Sequence, residues 1–237
     1  MQMNKTPSRL IILPNLKAIS QAAAEHVADL AQACDPFTIA LSGGGTPRGL
    51  YEMLAAPPYR EQIPWQRMHV FWGDERCVPP DHPGSNYRMA REALLDHVHI
   101  PARNVHRIHG ELGPEAAAQA YNAKLRAFFG APWPTFDLVL LGLGNDGHTA
   151  SLFPGSDALK ETARPAVGVT AHYENRPAQR VTLTLPAINA ARQVLFLAAG
   201  KAGIVQAVLN EPDAGYPAQH VRPTTGELVW LVDSIKA

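Results

Sequence analysis

The chain has 237 residues, 46% of them hydrophobic, with 21 basic and 21 acidic side chains and a formal net charge of zero. Without a chain-wide basic field, neither nucleic acid nor an anionic membrane is an expected partner, so a bound anion has to be gripped locally. The first apolar run, Leu10 to Leu13, is too short for a signal-peptide core or a membrane span, and Cys34 and Cys77 lack metal or redox spacing; the expectation is a reduced, cytoplasmic protein.

In chain order, Arg9 to Leu13 reads as a strand stopped by Pro14. Asn15 is placed to cap a helix whose apolar positions Leu16, Ile19, Ala23, Val27 and Leu30 recur at helical steps. Phe37 to Leu41 is apolar except for Thr38, as a buried parallel strand requires. Ser42-Gly43-Gly44-Gly45-Thr46-Pro47 follows, with a helix from about Pro47 to Leu54. Met68 to Trp72 is a third strand, ending in Gly73-Asp74-Glu75-Arg76; Cys77 to Tyr87 is loop, and Arg88 to His97 is helical. Val105 to Ile108 reads as a short strand, Glu115 to Phe129 as a helix, and Leu138 to Leu141 as a strand breaking into the glycine-rich loop Gly142 to Ser151. Ala166 to Thr170, Val181 to Leu185, Gln193 to Ala199 and Leu228 to Val232 complete the strands, with a helix from Gly200-Lys201 to about Leu209. Strands alternating with helices predict one α/β domain over residues 1–237, with a largely parallel sheet covered on both faces in three α/β/α layers.

A parallel sheet delivers the carboxyl ends of its strands to one edge, so Ser42 to Thr46, Gly73 to Arg76, Gly142 to Ser151 and Gly200-Lys201 are weighed together. Ser42, Gly43, Gly44, Gly45 and Thr46 before a helix suit a phosphate cradle, because glycines admit the anion to backbone N–H groups and the helix start favours negative charge. The bland alternative is a tight turn, although three successive glycines exceed what a turn needs. The stretch is neither a dinucleotide fingerprint nor a P-loop, since Arg48 stands where a third glycine would be and Leu50 follows Gly49. Lys201 and Arg180 each read either as an anion contact or as a solvated surface charge. Asp74, Glu75 and Arg76 read either as a structural ion-pair group or, for Arg76, as a ligand for an oxygen-rich substrate.

His148 has glycine before it and Asp146 two residues earlier. A neutral imidazole accepts a proton from water, and a neighbouring carboxylate orients the ring. The alternative is a loop histidine bonded to its own backbone. His97, His99, His106 and His109 do not complete a recognisable ligand set with cysteine or carboxylate, so no metal is expected. A serine nucleophile is not expected either, because G-x-S-x-G is absent.

Taken together, L-S-G-G-G-T-P at 41–47, W-G-D-E-R at 72–76, S-N-Y at 85–87, G-L-G-N-D-G-H-T-A-S-L-F-P-G at 142–155 and A-G-K at 199–201 resemble the 6-phosphogluconolactonases of the glucosamine-6-phosphate isomerase/6-phosphogluconolactonase family. The closing G-E-L-V-W-L-V-D at 226–233 extends the resemblance. One departure is Gly45, where many relatives carry serine, which removes a hydroxyl contact to phosphate. The resemblance implies a Rossmann-like sheet of the sugar-phosphate isomerase/deaminase type and cofactor-free hydrolysis of 6-phospho-D-glucono-1,5-lactone in the pentose phosphate pathway. It also implies a catalytic set of His148, Asp146, Arg76 and Asp74, with Ser42 to Thr46, Lys201 and Arg180 at the substrate phosphate.

The deaminases that resemble this chain follow the histidine with a glutamate five residues on and carry tyrosine at the Arg76 position. Here the first of these positions is Phe153, which favours the lactonase. A non-catalytic sugar-phosphate sensor is the remaining alternative; the intact Asp146-Gly147-His148 set argues against it. A monomer is expected, because no exposed apolar helix stands out.

Overall fold

The computed structural model describes residues 8–211 and 214–233. The strands are β1 (Ser8–Ile12), β2 (Phe37–Leu41), β3 (Met68–Trp72), β4 (Asp74–Arg76), β5 (Leu138–Gly142), β6 (Ala166–Thr170), β7 (Gln179–Leu183), β8 (Gln193–Ala198) and β9 (Glu227–Val232). The helices are α1 (Leu16–Ala33), α2 (Gly45–Leu54), α3 (Tyr59–Gln62), α4 (Asn86–Ala93), α5 (Pro114–Phe129), α6 (Leu185–Asn189) and α7 (Ala202–Asn210). The main sheet runs β1-β9-β8-β5-β2-β3, and every neighbouring pair in it is parallel.

The interior strands follow from their sequences. Phe37 to Leu41 is buried throughout, and so is Leu138 to Leu141, the signature of strands covered on both faces. Asp137 sets the register at their amino ends: its carboxylate accepts from Thr38 N–H at 2.8 Å and from Thr38 Oγ1 at 2.7 Å. Asn15 caps α1 as its position predicts, accepting from Ala18 N–H at 3.0 Å. The buried face of α1 is mostly alanine, which lets the helix lie close to its neighbours.

β3 lies on one side of β2 and β5 on the other, so the chain changes its direction of travel across the sheet between β2 and β5. A crevice opens outside the carboxyl ends of two such strands, which is where ligands bind in open α/β sheets.

A second sheet, β4-β7-β6, is antiparallel. Gly73 joins the two sheets: its N–H donates to Leu41 O at 2.8 Å, and its carbonyl accepts from Leu183 N–H at 2.7 Å. Asp74 to Arg76, which read as the polar end of β3, is therefore a strand in its own right. This small sheet stands over the carboxyl edge of the large one and forms a wall of the crevice.

Several elements differ from the sequence reading, three of them for evident local reasons. Val105 makes one parallel bridge to Val70, and the expected strand goes no further because 3₁₀ turns flank it on both sides. Pro186 sits in the first turn of α6 instead of ending a strand, so β7 is displaced to Gln179–Leu183. The helix expected to reach His97 stops at Ala93 and continues as a 3₁₀ turn. No helix among the described residues is long and apolar enough to cross a membrane.

Candidate active site

The glycine turn is latched from behind. Ser42 N–H donates to the Tyr51 hydroxyl at 2.9 Å, and that hydroxyl donates to Ser42 O at 2.8 Å. Tyr51 is buried, and desolvation drives its pKa upward, so it stays a neutral strut. α2 begins at Gly45, two residues before the start expected at Pro47. Gly45 and Thr46 therefore lie in its first turn, where backbone N–H groups have no intrahelical acceptor. Gly43 has to lack a side chain, because a Cβ there would overlap the Asn86 amide.

The loop after β5 lies beside this turn: a Cβ on Gly142 would stand 3.8 Å from Ser42 Oγ. Gly144 N–H donates to His148 O at 2.8 Å, and Thr149 Oγ1 donates to Gly142 O at 2.9 Å, closing the loop on itself. Asp146 Oδ1 lies 2.5 Å from His148 Nδ1 and accepts His148 N–H at 3.2 Å. With Nδ1–H directed at the carboxylate, Nε2 carries the free lone pair. The imidazole side chain is 13% exposed and packs on Phe153 at 4.3 Å and Tyr173 at 4.6 Å between ring centres. Ala150, two residues on, has φ 49°, a left-handed conformation uncommon outside glycine that marks local strain.

Asp74 and Glu75 form no ion pair with Arg76 among the described residues; each has a different task. Asp74 is buried, with Ser151 Oγ donating to its Oδ2 at 2.7 Å and Asn86 Nδ2 donating to Oδ1 at 3.1 Å. Thr182 Oγ1 accepts from Ser151 N–H at 3.1 Å. One buried polar chain thus runs from Asn86 through Asp74 to the histidine loop and β7. Glu75 accepts from the N–H groups of Arg76, Asn86 and Tyr87, each at 2.7 Å, and from Ser85 Oγ at 3.0 Å. It closes the amino end of α4. Burial raises its pKa, and those four hydrogen bonds oppose the rise.

These elements enclose a cleft of about 270 Å³. All eleven residues singled out from the sequence line it except Asp146, which stands behind His148 as its hydrogen-bond partner. Arg76 reaches in from β4 while its Nη1 donates to Gly84 O at 2.7 Å. Arg180 is buried to 2% exposure, and burial lowers its pKa, with Asp74 opposing and Arg76 and Arg176 reinforcing the drop. Lys201 precedes α7 and its Nζ donates to Asn145 Oδ1, bringing the end of β8 to the histidine loop.

The sequence reading placed both strands of the β6–β7 hairpin but singled out none of the residues between them. Of these, Tyr173, Glu174 and Arg176 line the cleft, with Glu174 and Arg176 paired at 3.0 Å. Polar, aromatic residues clustered between two short strands were the available signal. The four histidines weighed for metal have separate partners or surroundings: His97 contacts Glu92 O, the His99 carbonyl accepts from Gln66, His106 contacts His69, and His109 lies near Glu111. No group of three metal-type side chains occurs among the described residues.

The parallel sheet, flanking helices and crevice are those of an open α/β fold, the class to which the sugar-phosphate isomerases and deaminases belong. The family model for glucosamine-6-phosphate isomerases/6-phosphogluconolactonase matches residues 14–230, and the chain belongs to that family. It is 49% identical over 206 residues to a 6-phosphogluconolactonase of Synechocystis sp., covering 83% of this chain and 81% of the relative. It is 37% identical over 220 residues to that of Haemophilus influenzae, covering 91% and 92%. Among solved structures, 6-phosphogluconolactonase from Trypanosoma cruzi superposes with a TM-score of 0.88 at 31% identity, covering 98% of this chain and 97% of that one.

Proposed function

We propose that this chain is a carboxylic-ester hydrolase that opens 6-phospho-D-glucono-1,5-lactone to 6-phosphogluconate, a reaction of the oxidative pentose phosphate pathway, and that it works as a cytoplasmic monomer. The observation that carries the reading is His148, backed by Asp146 and sharing one cleft with a phosphate-type turn. The first turn of α2 and Lys201 hold the 6-phosphate, which fixes the ring with C1 beside His148.

His148 Nε2 takes a proton as water attacks C1. The tetrahedral intermediate collapses with cleavage of the bond from C1 to the ring oxygen, and the same nitrogen returns the proton to that oxygen. Asp146 holds the tautomer and favours the imidazolium, while Arg76 faces the oxyanion. Asp74 acts through Ser151 as a positioning residue. A lactone is an activated ester that already hydrolyses in water, so a base and an oxyanion donor meet the demands of the reaction without a cofactor.

The deaminase alternative requires a carboxylate to move protons during ring opening. Phe153 occupies that sequence position and packs its ring on His148, leaving an apolar wall there. The test is a time course on freshly prepared lactone with spontaneous hydrolysis subtracted and the product identified by oxidation of 6-phosphogluconate. Ammonia release from glucosamine 6-phosphate, or ligand binding with no acceleration of lactone loss, would overturn the assignment.

A further inference from the structure

Arg180 and Arg76 are directly opposed across the antiparallel β4–β7 pair. Like charges in that position repel each other, and β-sheets ordinarily avoid them. Neither has a carboxylate at ion-pair distance among the described residues. The opposing charge that acts most on Arg180 is Asp74, whose two oxygens already accept from Ser151 and Asn86.

Both guanidiniums also keep N–H groups in reserve. Arg180 Nε donates to Pro177 O at 3.1 Å, yet its buried Nη2 has no partner. Arg76 Nη1 is held by Gly84 O, yet its buried Nε has none. Buried polar groups are almost always paired, and a buried cation without a counter-ion is costly. A buried guanidinium and a half-buried one lining one cleft form a receptor for an anion.

The position of Arg180 indicates which anion. Its guanidinium carbon lies 5.2 Å from the centre of the Phe153 ring, and that ring packs at 4.3 Å on His148. Arg180 and His148 therefore share one wall. An atom attacked by water from His148 carries its oxygens to this wall, whereas the α2 start and Lys201 offer a separate place for phosphate.

Given the lactonase reading above, we propose that Arg180, together with Arg76, binds the C1 oxygens of the substrate: the tetrahedral oxyanion during reaction and the carboxylate of the product. Arg180 is thus a catalytic residue at the acyl end of the cleft, not the phosphate ligand that the family resemblance implied.

The test compares 6-phosphogluconate with D-glucitol 6-phosphate, which has the same phosphate and no C1 carboxylate, by calorimetry on wild type, Arg180→Gln and Lys201→Ala. Arg180→Gln is expected to weaken 6-phosphogluconate about tenfold or more, as truncating one partner of a buried charge pair does, while leaving D-glucitol 6-phosphate within about twofold. Lys201→Ala is expected to weaken both ligands alike. Equal weakening of both ligands by Arg180→Gln would place Arg180 at the phosphate and overturn the proposal. So would an unchanged product affinity, or a wild type that does not distinguish the two ligands.

If Arg180→Gln does not fold, Arg180→Lys keeps the charge but loses the planar fork, and the same ranking of the two ligands decides the matter. Lactone turnover by wild type is measured separately. Its absence would sink the hydrolase reading, while the ligand ranking would still decide where Arg180 binds.

Discussion

Asp146 Oδ1 accepts twice from His148, once from ring Nδ1 at 2.5 Å and once from its backbone N–H at 3.2 Å. A single oxygen therefore fixes the loop conformation and the imidazole orientation together. Aspartate two residues before the histidine is a spacing that allows both bonds, and glycine between them lets the chain turn tightly, with Gly147 at φ 75°. Of the two arrangements weighed from the sequence, the imidazole bonds the Asp146 carboxylate and not its own backbone.

Replacing His148 by alanine removes the base, and kcat for the lactone should fall by about 10²–10⁴. Asp146→Asn keeps an oxygen for the two N–H groups but removes the charge that favours the imidazolium, so the loss should be smaller, about 10–10²-fold. Affinity for D-glucitol 6-phosphate should be preserved in both variants. Steady-state kinetics beside calorimetry checks this, and turnover by His148→Ala within a few-fold of wild type would remove His148 from the mechanism.

Gly144 lies against this pair. A Cβ there would run into the His148 imidazole and stand 2.7 Å from Asp146 Oδ1. The backbone of Gly144 needs no left-handed conformation, so alanine is excluded by contact with the pair and not by strain. Gly144→Ala is expected to lower kcat about as much as Asp146→Asn while the melting temperature falls only a few degrees, since the loop can open at its cleft side. Unaltered kcat would show that the His148–Asp146 geometry has slack that the mechanism does not use.

Ser151 ties the same loop to the small sheet. Its hydroxyl donates to Asp74 Oδ2 at 2.7 Å with both groups buried. Ser151→Ala leaves a buried carboxylate short of one donor, which costs about 1–3 kcal/mol. Urea denaturation should read a loss in that range, accompanied by a fall in kcat larger than any rise in KM. Wild-type stability would mean that water replaces the hydroxyl.

Most of the large sheet could be read from apolar runs bounded by glycine or proline, because a strand buried on both faces leaves that pattern wherever it lies. Phe37 to Leu41 needed no further information. The small sheet was harder to see. β4 is three residues long and fully polar, Asp-Glu-Arg, and its status as a strand comes from pairing with Gln179–Leu183 about a hundred residues away. Non-local pairing of that kind leaves no periodic trace. In the site, residues carried by strand ends, such as Ser42 and His148, could be found from the sequence. The contributions of Asn86 and Tyr51 could not, since both act through a partner brought to them by the fold. Arg180 was visible as a charge before a strand, but its burial and its place opposite Arg76 depend on the register of β7, which the sequence reading displaced by two residues.

His69 and His106 predict a pH dependence of stability unrelated to catalysis. His69 Nδ1 and His106 Nε2 are 3.1 Å apart within a cluster that includes Phe71 and Phe128. Burial, aided by His69 and by Lys124 on α5, pulls the His106 pKa from its ordinary value of 6.5 to about 4. Burial also lowers His69, with Arg103 adding to the effect. In the acid range the unfolded chain binds protons that the fold refuses, so stability rises with pH. The full contribution is present above the unfolded value near 6.5 and is lost as the pH falls toward about 4. At 1.36 kcal/mol per pKa unit, His106 alone sets an upper bound of about 3 kcal/mol on that loss. Urea midpoints measured from pH 7.5 down to about 4.5 should fall across this window, and His106→Phe, which keeps an aromatic ring against Phe71, should flatten the fall. An identical slope in the variant would show that the loss arises from carboxylates elsewhere and that this histidine pair is free to protonate in the folded chain.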